Sequence, residues 1–344
     1  MNGVGGGREE RGPEPGEEPP AGLLEEFGRG RQRALARAIS MVEDETPGFE
    51  ALLDAVHERV GRARRIGITG PPGAGKSTLT KELARSYRQE GLRVGVIAVD
   101  PTSPFSGGAL LGDRVRMTEL ASDRGLFIRS MASRGSLGGL ATSTREAADL
   151  MDAFGLERVL LETVGVGQSE LEIARTADTT AVVLVPESGD GIQAMKAGLN
   201  EIADLFVVNK ADRPGADRLR KELEIMQRIR GGRDEEIDWE VPVLQTVASE
   251  AEGVGELLER LDAHFGRLRE SGALEARRTD VRVEQARSVL LRRLERAADS
   301  QWEERRDEIR RRLASGEASP YAVAAEMEAA FRREMAAGGD PARS

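Results

Sequence analysis

The run Gly70-Pro71-Pro72-Gly73-Ala74-Gly75-Lys76-Ser77-Thr78 has the residue types and spacing to hold a nucleoside triphosphate. Its glycines let consecutive backbone N–H groups converge on phosphate oxygens, and a helix start adds its positive end. Lys76 then reaches the β- and γ-phosphates, and the Ser77 hydroxyl can ligate Mg2+. The flanks supply the context this needs: Ile66-Gly67-Ile68 reads as a strand, and Leu79-Thr80-Lys81-Glu82-Leu83-Ala84 as the helix that follows.

A second stretch selects the base. Asp204-Leu205-Phe206-Val207-Val208 reads as a buried strand running into Asn209-Lys210-Ala211-Asp212, which sets Asp212 just past the strand's carboxyl end, where α/β sheets bind ligands. A carboxylate there accepts from both N1–H and the 2-amino group of guanine. Adenine offers neither donor and would leave the carboxylate unpaired at a cost of about 1–3 kcal/mol. GTP and GDP are therefore expected over ATP.

The residues between the two motifs carry the metal chemistry. Asp100 ends the strand Val94 to Val99, and Asp113 lies in the glycine-bearing loop Ser106 to Asp113; both are placed to serve Mg2+. A further strand ends in Glu162-Thr163-Val164-Gly165, where a nucleotidase keeps the acid that holds Mg2+ through water and a glycine whose N–H meets the γ-phosphate. Glu162 stands there in place of the usual aspartate.

These residues need a scaffold, and the chain spells one. Strands are expected at Arg65 to Thr69, Arg93 to Val99, Leu126 to Met131, Val159 to Glu162, Thr180 to Val185, Leu205 to Asn209 and Val241 to Thr246, with helices between most of them. Val182-Val183-Leu184-Val185 and Leu205-Phe206-Val207-Val208 are apolar without alternation, the pattern of strands covered on both faces. The fold class is α/β, a doubly wound, mostly parallel sheet with helical arms at both ends. The expected divisions are a disordered tail over 1–20, a helical arm over 21–64, a GTPase domain over 65–270 and a C-terminal helical arm over 271–344. In that last arm Val283, Ala286, Leu290, Leu294 and Ala297 form one apolar stripe, suited either to packing on the parent domain or to a subunit interface. Ser319-Pro320 reads as the cap of a final helix bearing Tyr321, Ala324, Met327 and Phe331.

Composition narrows the partners. The 344 residues carry a net charge of −10, and no cluster of Lys and Arg is free of interspersed carboxylates, which argues against nucleic acid and anionic membrane. There is no cysteine, hence no disulfide or thiolate metal site. The two histidines, His57 and His264, sit in polar helix-like segments and are expected at the surface. No apolar leader opens the chain and no apolar run approaches membrane-spanning length, so a cytoplasmic protein is expected.

Taken together, the glycine-rich loop, Asp100-Pro101-Thr102-Ser103, Gly107-Gly108 with Leu111-Gly112-Asp113, Ser133-Arg134-Gly135 with Gly138-Gly139, the string Glu162 to Glu170 and Asn209-Lys210-Ala211-Asp212 resemble the methylmalonyl-CoA mutase-associated GTPase family. The resemblance implies a G-protein chaperone of an adenosylcobalamin-dependent acyl-CoA mutase, gating cofactor loading and protection, and a homodimer built through the C-terminal helices. It implies GTP, GDP and Mg2+ as ligands. It places Lys76 and Ser77 on phosphate and metal, Asp100, Asp113 and Glu162 around the metal, and Gln168 in a mobile switch. Asn209, Lys210 and Asp212 fall on guanine, and Val247-Ala248 takes the place of a Ser-Ala pair whose backbone amide meets the base. Pro186 to Lys196 resembles an extra switch, with Asp190 and Lys196 approaching the nucleotide; on its own terms Lys196 reads as a helix-surface lysine. A metal-inserting GTPase of the same class would need His or Cys ligands near its switches, and none occurs between His57 and His264. A partitioning ATPase would carry a lysine early in the phosphate loop, and a small-molecule kinase an acceptor pocket with a base.

Overall fold

The structure, a computed structural model, describes residues 18–101, 123–133, 139–163, 169–187, 199–230, 233–234 and 236–338. The phosphate-loop strand β1 (Arg64–Thr69) lies at the centre of a seven-stranded sheet. On one side of it come β4 (Arg158–Thr163), β2 (Val94–Pro101) and β3 (Leu126–Ser133); on the other β5 (Thr179–Leu184), β6 (Leu205–Asn209) and, past a short antiparallel hairpin of β7 (Arg233–Asp234) and β8 (Trp239–Glu240), β9 (Val243–Thr246). Every pairing in the large sheet is parallel. The unbroken apolar character of Ala181 to Leu184 in β5 and of Leu205 to Val208 in β6 lets both of their faces be buried.

Alternate residues of one strand feed opposite cores. Ile66, Ile68, Leu160, Val183 and Val207 pack with Leu79, Leu83 and Tyr87 of α4 (Lys76–Gln89), while Ile97, Val99, Val159 and Leu161 face the other side. There they meet Leu150 and Met151 of α5 (Gly139–Ala153) and the N-terminal helices α1 (Leu23–Gly28), α2 (Gln32–Glu43) and α3 (Phe49–Val56). Leu35, Ile39 and Leu52 are fully buried, so this stretch is part of the domain core, each such side chain contributing roughly 1.5–3 kcal/mol. Three α-helices precede β1, and Gly30 in the left-handed region (φ 73°) separates α1 from α2. Val182, Leu184, Phe206 and Val208 form a third cluster with Leu219 and Leu223, and these belong to the helix that follows Asp212.

The end of the sheet away from the phosphate loop is held by charge. Asp152 accepts the N–H groups of Gly61, Arg62 and Ala63 at 2.7, 3.1 and 2.9 Å, and the Arg65 guanidinium bonds to Asp149 at 2.6 Å. Burial works against the charge on Arg65, but Asp149, Asp178 and Asp152 outweigh it and raise its pKa. Asp178 also takes both Arg278 Nε and Nη2 at 2.8 Å. This fixes the start of β1, and with it the strand that delivers the phosphate loop.

His264 corrects the sequence reading. It lies on the helix Val254–Ser271 with no exposed surface, its Nδ1 2.8 Å from Thr179 Oγ1 and its Nε2 3.3 Å from Asp204 Oδ1. Its sequence neighbours are polar, but the groups that receive it come from β5 and from the residue just before β6. His57 is exposed as expected.

Chain contacts separate two compact units, one reaching to Arg282 and one beginning at Val283. Numbering the helices onward, α6 is Ser169–Thr176, α7 Ala216–Arg230, α8 Val254–Ser271, α9 Ala273–Glu304, α10 Arg306–Ala314 and α11 Pro320–Gly338. In the second unit Ser319 Oγ accepts the Ala322 N–H at 3.2 Å, the capping that Ser319-Pro320 foretold. The inward residues of α11 are Val323 and Ala330, however, and Tyr321 is 88 % exposed. Val283 and Leu290 of the apolar stripe are exposed too, at 61 % and 56 %.

Candidate nucleotide site

β1 ends at Thr69 and α4 begins at Lys76, so the loop between them joins the middle of the sheet to a helix N-terminus. Gly70 has φ 138°, and a Cβ there would stand 2.0 Å from the Val183 carbonyl oxygen; at Gly75, φ 86°, a Cβ would meet Asn209 Nδ2 at 2.3 Å. Both positions exclude side chains for reasons of space as well as backbone conformation. Lys76 is 5 % exposed, and its ammonium lies on its own loop, donating to Gly70 O at 2.8 Å and Pro71 O at 3.0 Å. A buried ammonium needs acceptors, and loop carbonyls serve in the position where phosphate oxygens would compete for it.

Ser77 Oγ donates to Glu162 Oε1 at 2.5 Å, a charge-assisted bond between the first turn of α4 and the tip of β4. These are hard oxygen donors side by side, the set that suits Mg2+ together with phosphate oxygens and water. Ser77 and Glu162 would hold that ion, whose chemistry when bound is to neutralise charge on the phosphates. Among the described residues no three His, Cys, Asp or Glu side chains gather as a metal cluster of their own. Asp100 lies within β2, with its side chain outside the described set; Asp113, Gly165, Gln168, Asp190 and Lys196 lie outside the described residues altogether.

The base side is braced to the phosphate side through one amide. Asn209, 2 % exposed, donates from Nδ2 to Ala74 O at 2.8 Å, while its Oδ1 accepts from Thr246 Oγ1 and from the Ala248 N–H, both at 3.1 Å. Lys210 takes a left-handed backbone (φ 56°) and its Nζ reaches Gly73 O at 2.8 Å. Asp212 is exposed beside this brace. Next to it Arg213 pairs with Glu187 at 2.5 Å; the bond raises the pKa of the guanidinium and lowers that of the carboxyl. The Ala248 amide, expected to face the base, is turned to Asn209 here, and Val247 is buried. Pro72 and Gly73 are exposed at the loop crest, Ala74 is buried, and Thr78 is half-buried on α4.

Sequence reasoning missed Thr246, whose hydroxyl closes the brace, and the hydroxyl pair Thr163 Oγ1 to Thr69 Oγ1, 3.1 Å apart under the loop. The available signal was the same in each case: a threonine as the last residue of a strand leading into the site.

A family model described as methylmalonyl-CoA mutase-associated GTPase matches residues 35–303. A protein of Pyrococcus horikoshii whose GTPase name is provisional is 50 % identical over 263 residues, covering 76 % of this chain and 83 % of its own length. The mouse protein named methylmalonic aciduria type A homolog, mitochondrial, is 35 % identical over 267 residues, covering 73 % of this chain and 64 % of its own. The crystal structure of a LAO/AO transport system kinase superposes with a TM-score of 0.66 at 31 % identity, covering 91 % of this chain and 99 % of that one.

Proposed function

Because this chain belongs to the methylmalonyl-CoA mutase-associated GTPase family, we propose that it binds and hydrolyses GTP as the switch of a chaperone for an adenosylcobalamin-dependent acyl-CoA mutase, acting in the cytoplasm. The observation that carries the GTP reading is the brace at Asn209: the tetrapeptide Asn209 to Asp212 is tied to the phosphate loop at Ala74 and Gly73, which supports reading base and phosphate recognition as one site. The mutase reading is supported by the family's description and by the name of the mouse relative. In this reading Lys76 leaves its loop carbonyls for phosphate oxygens, Glu162 and Ser77 orient the metal-bearing side, and Asp212 selects guanine. Asp100 and Asp113 complete the reading around the metal, and Gln168, Asp190 and Lys196 complete it as switch residues that approach the nucleotide. Among the described residues no helix is long and apolar enough to cross a membrane.

Calorimetry is expected to show GTP and GDP binding with Mg2+ at least about 100-fold tighter than ATP, since adenine leaves Asp212 without donors. Asp212→Asn is expected to lose guanine affinity and to accept xanthine nucleotides. Equal ATP and GTP affinities would contradict the base assignment.

We propose further that the second unit pairs two copies of the chain, because Val283 and Leu290 stand exposed seven residues apart on α9. Sedimentation of the full chain is expected to give a dimer, and Val283→Glu with Leu290→Glu a monomer that still binds GTP. A dimer that survives both charges would place the interface elsewhere.

A further inference from the structure

Thr69 and Thr163 are the last residues of β1 and β4, and neither contacts the base loop or the phosphate loop by its side chain in the bonds described above. Both are without exposed surface, and Thr163 Oγ1 donates to Thr69 Oγ1 at 3.1 Å. The strands around them are apolar: Thr69 pairs across with Val182 of β5, and Thr163 with Val99 of β2. Valine has the same shape and an equal liking for a strand, so packing alone does not call for threonine at either position.

What the hydroxyls add is a fastening at one place. The parallel register of β1 and β4 runs from Arg64 opposite Arg158 to Ile68 opposite Glu162, and the hydroxyl bridge is the next rung. On one side of that rung β1 turns into the phosphate loop at Gly70; on the other, Glu162 holds Ser77 Oγ at 2.5 Å. The chain of contacts is therefore closed: phosphate loop, Thr69, Thr163, Glu162, Ser77 and back to the phosphate loop. The bond between Glu162 and Ser77 ties the end of β4 to the first turn of α4, so a shift of one carries the other.

We infer that the Thr69–Thr163 bridge is a positioning device that sets Glu162 and Ser77 for the metal accompanying the nucleotide. The inference rests on the GTP reading of the site. Neither threonine touches nucleotide or metal; each acts through Glu162.

The test uses the full chain with T163V, T69V, the double variant T69V/T163V and the conservative T163S. A fluorescent GDP analogue is titrated with Mg2+ and, separately, in EDTA, and melting temperatures are recorded alongside. Each single valine variant is expected to need about tenfold more Mg2+ for half-maximal retention of the analogue, the effect of losing one hydrogen bond's worth of placement. Binding in EDTA is expected to stay within about twofold, and T163S to match the parent. The double variant separates positioning from packing, because replacing both partners by apolar groups of the same shape leaves no orphaned hydroxyl. Its melting temperature is expected to recover while its Mg2+ requirement stays raised. If melting temperature and Mg2+ requirement recover together, or if only the melting temperature ever changes, the bridge is packing and the inference is overturned. A parent chain that binds no guanine nucleotide in either buffer would overturn the site reading and this inference with it.

Discussion

Lys76→Ala is expected to abolish nucleotide binding at micromolar concentrations, and Glu162→Ala to retain binding while losing hydrolysis. The ammonium of Lys76 is buried and held by two loop carbonyls within the phosphate loop. When phosphate takes their place, neutral acceptors are exchanged for charged ones, and removing the lysine forfeits contacts worth about 1.5–3 kcal/mol each. Two such contacts correspond to roughly a 100-fold loss of affinity or more. Glu162 holds Ser77, on the phosphate side of the site. Its removal should therefore appear in kcat, by about 100- to 1000-fold, with GDP affinity nearly unchanged at saturating Mg2+. Binding by calorimetry and single-turnover hydrolysis separate the two effects. Parental turnover by Glu162→Ala would mean that another acid does this work.

The two ligand motifs were legible because their logic is local. Leu205–Asn209 begins and ends where the sequence reading put it, since five buried residues are followed at once by Lys210 and a turn. Gly70 and Gly75 were recognisable as a loop that admits no side chain, though the groups that exclude one, Val183 O and Asn209 Nδ2, come from β5 and β6. What the sequence did not disclose is non-local. Asn209 reads as a base-motif residue, and nothing in its neighbourhood says that it also ties Ala74 to Thr246 and Ala248. His264 sits among charged residues of α8, yet Thr179 and Asp204 bury it. The arm read at residues 21–64 was visible as amphipathic helix, but its periodicity could not tell a free arm from one whose Leu35, Ile39 and Leu52 complete the core over α5. Arg278 likewise reaches back to Asp178, a pairing across a hundred positions of sequence.

The second large effect expected is that of the partner. A G protein serving a mutase must present different surfaces with GTP and GDP, and any preference of the mutase for one of these states changes nucleotide affinity by the same factor. Coupling of this kind is worth about 1–3 kcal/mol, or roughly 5- to 150-fold. Lys196→Ala and Gln168→Ala are expected to blunt the response to the partner more than the basal rate, since both lie in segments proposed to reorganise when the partner docks. The most direct measurement is the GTP hydrolysis rate of the full chain with and without the purified adenosylcobalamin-dependent acyl-CoA mutase of the same organism, with cofactor loading followed in GTP and in a non-hydrolysable analogue. The proposed function predicts faster hydrolysis with the mutase present and loading that differs between the two nucleotides. An unchanged rate, with loading indifferent to nucleotide, would contradict it.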